Sequence, residues 1–519
     1  MSLLRSFATV ASNTLVSRIL GFVRDIMIAA TLGAGTVADA FFAAFKLPNL
    51  FRRLFAEGAF NAAFVPMYAR RREGKDDGDG VAAAQAFADA VFTVMCSVLI
   101  LLVIVIEAGL PWLMRVITPG FADIPGKLEL ATELTRITFP YILLISLVAM
   151  ISGVLNSIGR FGAAAATPII LNLCLIGALL VGAERLETPG HALAWGVALA
   201  GLLQFLWVAQ AATRAEVMPR LQRPKITPEV KTMLVRMIPG VIGAGVYQLN
   251  LVVDMIIATL VANGALSFLY FADRVTQLPL GVVGVAIGTA LLPLLSRQLR
   301  AGKEAEAMHN QNRAIEISLL LTLPAAAALI VIPGPIVSTL FEHGRFSAED
   351  TAATAGALAA FAAGLPAYVL IKVLAPGFFA REDTKTPVRI AIVALIVNVA
   401  LNLALMKPLG HVGIALATAI SAWLNVILLG VTLRRRGALT LDARLLSRLP
   451  RILLATACMA GALWQADIWL GALTDGGKAE RAAGLVLLVG AGIAIYFLLA
   501  QLLGAARVAE IRASLRRQS

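Results

Sequence analysis

Seven basic residues, Arg18, Arg24, Lys46, Arg52, Arg53, Arg274 and Lys372, stand inside runs of apolar sequence long enough to cross a bilayer. Asp25, Asp39, Glu57 and Asp273 accompany them. The stretch KLPNLFRRLFAEGAFNAAFVP at 46–66 sets Lys46, Arg52, Arg53 and Glu57 among aromatic and aliphatic side chains. A charge at mid-depth on a lipid-facing helix costs at least about 2.5–3.5 kcal/mol, so such residues face protein or water. Arg24 beside Asp25 reads as a local neutralising pair, and Arg53 with Glu57 as an i,i+4 pair in the less favourable order. Arg18 and Arg52 have no carboxylate three or four positions away, and Arg274 has only its neighbour Asp273. A guanidinium keeps its proton and grips phosphate through a two-pronged fork. Several arginines in one membrane cavity therefore point to an anionic guest, with phosphate or diphosphate ahead of a carboxylate or a cation. Elsewhere, Asp254, Asn398, Asn402 and Thr418 are oxygen donors within apolar runs. They suit a sodium ion, and hydrogen bonding between helices is the plainer reading.

The elements that must position these residues follow from composition. The chain has 519 residues, 59% hydrophobic and 14% charged, with mean hydropathy +0.85. That balance predicts an all-α polytopic membrane protein. Alternating strands of about ten residues are absent, which argues against an outer-membrane barrel. Candidate spans lie near 6–32, 38–69, 84–113, 129–157, 162–183, 190–213, 230–261, 265–296, 309–333, 350–379, 387–407, 411–433, 449–472 and 482–505. With fourteen spans, 29 of the 44 basic residues fall on the side of the two termini and eight on the opposite side. This asymmetry predicts cytoplasmic termini. It also accounts for the net charge of +13 without nucleic acid. Lys127 is counted here as an outer-loop residue. The N-terminal stretch, interrupted by arginine, is not expected to be a cleaved signal. Cys96, Cys174 and Cys458 read as small packing residues. The four histidines, His191, His309, His343 and His411, lack ligand spacing, so no zinc site is expected.

The segment VRDIMIAATLGAG (23–35) is repeated as VVDMIIATLVANG (252–264), pairing Asp25 with Asp254 and Gly35 with Gly264. Shifted by two residues, AAFVPMYAR (62–70) meets TALLPLLSR (289–297). Six spans separate the copies. That even number predicts two parallel six-helix lobes with a cavity between them, at 1–226 and 227–437, and two extra helices at 438–519.

SRILGFVRDIMIAATLG, ADAFFAAFKLPNLFRRLFAEGAFNAAFVP, FADRVTQLPLGVVGVAIGTALLP and APGFFAREDTKTPV together resemble the MurJ (MviN) family. The likeness covers nearly the whole chain, and the second-helix motif is highly specific. This family belongs to the multidrug/oligosaccharidyl-lipid/polysaccharide exporter superfamily. The resemblance implies a non-enzymatic flippase for lipid II, the undecaprenyl-diphosphate-linked peptidoglycan precursor, in the bacterial cytoplasmic (inner) membrane. It places functional arginines in a central cavity at Arg18, Arg24, Arg52 and Arg274, with Asp25, Asp39 and Glu57 beside them. It implies a lipid-tail groove at the last two helices and, in some members, a sodium site at Asp254, Asn398, Asn402 and Thr418. Asn402, where a carboxylate can occur, weakens that site. Membrane lipids and the cell-wall synthesis machinery are the implied partners. The rival readings are a flippase for another polyprenyl-linked glycan or for a cationic drug, a membrane glycosyltransferase or phosphatase, and a scaffold. The surplus of arginine argues against the drug, and short loops without acidic metal-binding motifs argue against the enzyme.

Overall fold

In hydrocarbon, backbone N–H and C=O groups find no water, so a spanning apolar run pairs them internally as helix. The computed structural model describes residues 3–52, 59–74, 80–474 and 476–505, and its regular elements are all helical. In chain order they are α1 (Leu3–Leu32), α2 (Thr36–Arg52), α3 (Ala59–Arg72), α4 (Gly80–Ile117), a 3-10 turn (Pro119–Asp123), α5 (Lys127–Thr138), α6 (Tyr141–Ser157), α7 (Gly162–Gly182), α8 (Pro189–Thr213) and α9 (Pro228–Thr259). They continue as α10 (Ala265–Arg300), α11 (Glu304–Val331), α12 (Pro333–Phe341), α13 (Ala348–Phe379), α14 (Lys385–Arg435), α15 (Ala443–Trp469), α16 (Gly471–Thr474) and α17 (Lys478–Leu502).

Among the described residues each predicted span coincides with helix. The described parts of the second span lie in α2 and α3, and the fourth divides into α5 and α6 at Pro140, which caps α6. The eleventh and twelfth spans fall in one stretch of 51 helical residues, α14. At 1.5 Å per residue a straight α14 would be more than twice the roughly 30 Å hydrocarbon thickness. It folds back at Gly410, whose φ of 58° and ψ of −137° leave the helical region. Beyond the bend, a Cβ on Gly413 would lie 2.5 Å from the Leu405 carbonyl oxygen, so only glycine lets the two arms approach there. Among the described residues nine helical segments are long and apolar enough to cross a membrane. α1 is not one of them, because Arg18, Arg24 and Asp25 interrupt its apolar run.

The chain divides into two compact units, Met1–Ser267 and Phe268–Ser519. In the first, α1 packs along α7, α7 along α8, α2 against α5, and α9 against α3 and α4. Its interior is aromatic: Phe41, Phe64, Phe121, Phe139 and Tyr141 are fully buried. The linker after α8 is pinned to α4 by buried Asp89, which accepts from the Arg220 N–H at 2.8 Å and from Gln222 Nε2 at 3.0 Å. In the second unit, α13 lies between α11 and α14, and α15 joins α11 to α17. Leu291, Leu295, Leu374, Phe378, Leu429 and Leu445 form its core. Buried Glu316 of α11 ties in α15, bonded to Arg313, to Arg448 at 2.6 Å and to Arg444 at 3.3 Å. Leu180, Leu206, Ile104, Val486 and Leu498 are exposed, the inverted surface expected of a chain bathed in lipid, and Trp112, Trp195 and Trp469 stand near helix ends.

One polar clasp holds the turn before α14 to that helix's far end. Asp383 accepts from the Thr386 N–H at 3.0 Å and from Arg436 at 2.6 Å. Hydrogen bonds from Thr386 and then Arg436 hold its carboxyl well below the usual carboxylate range. A depressed folded pKa means stability that is complete above the unfolded value, about 3.9, and is lost only as pH falls through the folded one. Replacing Asp383 with Ala should therefore lower the apparent melting temperature by a constant amount from pH 8 to pH 5. The gap should narrow only in acid below about pH 4. A gap that closes between pH 7 and pH 5 would contradict this assignment.

Candidate functional site

The sequence-predicted charges sort into separate places. On α1, Arg24 and Asp25 are buried side by side. Arg24 donates through Nε and Nη2 to Asp25 Oδ1 at 3.0 and 2.6 Å, and through Nη1 to Asn172 Oδ1 at 2.9 Å. Asn172 of α7 completes the junction by donating to the Ser17 carbonyl at 2.9 Å. A single amide thus fixes α1 at two turns and steers the guanidinium. Arg18, nearly two turns earlier, is exposed.

Asp39 lies elsewhere, in the first turn of α2 and 1% exposed. Its Oδ2 accepts from Lys127 Nζ at 2.7 Å and the Gly264 N–H at 2.8 Å. Its Oδ1 accepts from the Ser267 N–H at 2.9 Å and Ser267 Oγ at 2.6 Å. The carboxylate therefore sits on the N-terminus of α10, where orphan N–H groups and the helix dipole favour an anion. Lys127, at the start of α5 and 1% exposed, also reaches Asn263 Oδ1 at 2.7 Å and lies 4.3 Å from the centre of the Phe121 ring. Asn263 in turn donates to Thr36 Oγ at 3.2 Å. Sequence reasoning missed Lys127 and placed it in an outer loop, because its partner is 88 residues away. The only trace was the repeat segment ending in Asn263 and Gly264.

Arg52 is the last residue of α2, and Glu57 lies outside the described residues. Arg274, on α10 in the second unit, holds its guanidinium 4.9 Å from the centre of the Tyr270 ring, a cation–π contact. Of the sodium candidates, Asp254 belongs to the first unit and accepts from Asn250 at 3.0 Å. In the second unit Asn402 donates to Asn398 at 2.6 Å, both buried, and Thr418 donates to the Ile414 carbonyl at 3.0 Å. Hydrogen bonding along each helix accounts for these contacts.

The first unit also has a polar cleft of about 170 Å³ between α3, α6 and α7, lined by Asn61, Ser152, Asn156 and Thr167.

Bundled membrane-length helices define a polytopic α-helical membrane protein. The same fold occurs in an inward-facing multidrug resistance MATE family transporter of the MOP superfamily, with a TM-score of 0.65, 15% identity, and coverage of 81% of this chain and 94% of that one. The profile of the family described as lipid II flippase MurJ matches residues 28–473. A probable lipid II flippase MurJ from Rhizobium meliloti (strain 1021) is 46% identical over 100% of this chain and 97% of its own length. The lipid II flippase MurJ of Burkholderia cenocepacia is 39% identical over 84% of this chain and 85% of its own. A structure titled lipid II flippase MurJ, inward closed conformation, gives a TM-score of 0.78 at 26% identity, covering 95% of this chain and 98% of that one. The chain belongs to the MurJ lipid II flippase family.

Removing one partner of a buried pair strands the other charge, typically at about 3–5 kcal/mol. Asp39→Asn and Lys127→Met should each lower the melting temperature of the purified protein. Together they should lower it by clearly less than the sum of the two, since neither charge is then stranded. Strictly additive losses would show that the two side chains do not depend on each other.

Proposed function

We propose that this chain carries lipid II from the cytoplasmic to the periplasmic leaflet of the bacterial inner membrane by alternating access, without catalysing a covalent step. The observation that carries the reading is the match, over the chain's full length, to relatives named as lipid II flippases. The arginines supply the chemistry. Arg18 on α1 and Arg274 on α10 offer permanent positive charge on membrane-length helices, and the substrate's diphosphate needs its lost hydration replaced. The polar cleft of α3, α6 and α7 lies toward the side carrying the excess of loop arginine and lysine, suited to a glycan arriving from the cytoplasm. Arg24, held by Asp25 and Asn172, keeps its orientation without the substrate. The polyprenyl tail stays in lipid along α15 and α17, whose outer faces expose Leu454, Trp464, Val486 and Ile493.

In the two-lobe arrangement predicted by the repeat, 1–226 and 227–437 rock against each other. The Asp39 clasp then crosses from the first lobe to Gly264 and Ser267, at the ends of helices that the charge asymmetry places outside. Outward opening requires that clasp to part, so its bonds set the free energy by which one state is favoured. Substrate drives the change only through different affinity for the two states. The membrane potential favours outward movement of an anion by about 2.3 kcal/mol per charge per 100 mV. Enzymes that polymerise the precursor outside are the natural downstream partners.

The test is to deplete the resident flippase in a bacterium and express this chain. Wild type should restore exposure of lipid II on the outer face, read as cleavage by an enzyme added from outside. Arg18→Ala and Arg274→Ala, at equal membrane abundance, should reduce it about tenfold or more, since each removes a charge-assisted bond of about 1.5–3 kcal/mol. A well-inserted wild type that leaves lipid II inside would overturn the cargo.

A further inference from the structure

Three side chains outside the transport site converge where α5 meets the turn before α8. Glu133 comes from α5, Glu187 from the α7–α8 turn and His191 from the first turn of α8. One ligand atom from each lies within 4.8 Å of the other two. Both carboxylates are exposed, whereas His191 is 6% exposed. Its Nε2 is buried and makes no hydrogen bond, with Glu133 Oε1 3.5 Å away. A buried ring nitrogen without a hydrogen bond, directed at two carboxylates, asks for a ligand.

The other side of the ring says which kind. His191 Nδ1 lies 2.9 Å from Thr188 Oγ, and that oxygen, the N-cap of α8, also accepts from the His191 backbone N–H. In the tautomer whose Nδ1–H donates to Thr188, Nε2 would carry its lone pair toward Glu133 and Glu187. A metal-bound histidine has this tautomer, its second nitrogen held by an outer partner. The spacing fits as well. Two ligands bonded to zinc at 2.0–2.1 Å and at the tetrahedral angle lie about 3.4 Å apart, close to the 3.5 Å between His191 Nε2 and Glu133 Oε1. Glu187, an exposed side chain on a turn, closes the third position with a small rotation. The backbone approach is close: a Cβ on Gly190 would lie 3.0 Å from Leu134 Cδ1 and from Val37 Cγ1, tighter than ordinary contact, so glycine eases the start of α8 beside α5.

We propose that Glu133, Glu187 and His191 form a binding site for a divalent transition-metal ion of the zinc type, with a fourth position left to water. Two carboxylates and one imidazole form a borderline-soft set that suits zinc better than calcium or magnesium, which take oxygen alone. The bound ion cross-links α5 to α8. Lys127 starts the same α5 helix, so the metal also steadies the element that reaches Asp39. The histidines' scatter along the chain hides this site, since two ligands are four residues apart but the third comes from another helix.

Purified full-length protein, stripped with chelator and titrated with zinc chloride by calorimetry, should take up one ion per chain. Glu133→Gln and Glu187→Gln, both at exposed positions that leave the core intact, should each weaken binding at least tenfold. His191→Gln should abolish it. X-ray absorption at the zinc edge should show one nitrogen with oxygen ligands. Absence of stoichiometric uptake would overturn the proposal. Uptake undiminished in both glutamine variants would equally overturn it, by placing the ion elsewhere.

Discussion

Two opposite charges 4 Å apart attract by about 4 kcal/mol at an effective dielectric of 20, against about 1 in water, and each loses several kcal/mol of hydration to get there. The architecture of this chain depends on that balance. Asp39 is surrounded by Lys127, Gly264 and Ser267, Arg24 by Asp25 and Asn172, and Glu316 by three arginines. In each case one ionic group, accepting at Asp39 and Glu316 and donating at Arg24, is hydrogen-bonded to more than one element, so the lost hydration is replaced and the elements are held together. Lipid gives no hydrophobic drive for helix to meet helix, and these polar junctions supply the geometry that packing alone leaves open.

A flippase needs such junctions to be breakable. The Asp39 cluster is strong because each carboxylate oxygen accepts two hydrogen bonds, yet three of the four donors belong to Gly264, at the end of the α9–α10 turn, and to Ser267, in the first turn of α10. In the opening proposed above, loss of the Gly264 and Ser267 donors would leave Asp39 paired with Lys127, which would limit the rise in free energy. Arg24 differs, because Asp25 and Asn172, which hold it, lie on α1 and α7, and these helices pack along each other in one unit.

Much of the fold was legible because membrane helices are written locally. Apolar runs marked the helices, although the run at 129–157 was read as one span and the break at Pro140 that divides it into α5 and α6 was not marked. The spans read at 387–407 and 411–433 form one helical stretch bent at Gly410. Tertiary polar contacts were not legible. Lys127 has no local sign of burial, Asn172 resembles any asparagine in an apolar helix, and Asp89 meets Arg220 from 131 residues away. Arg24 and Asp25 could be paired from sequence only because they are adjacent. The division into compact units at Ser267 and Phe268 also depends on where α9 packs, which repeat symmetry does not encode.

The central claim is that membrane-embedded arginine holds the diphosphate of the cargo, and direct binding tests it most simply. The purified protein in lipid nanodiscs would be titrated with lipid II and with a lipid bearing the same glycan but no diphosphate. Wild type should prefer lipid II by about tenfold or more, as expected for charge-assisted bonds of about 1.5–3 kcal/mol. Combining Arg18→Ala with Arg274→Ala should erase that preference while leaving the weaker binding of the uncharged lipid unchanged. Equal affinity of wild type for both lipids, or a preference that survives loss of both arginines, would contradict the account.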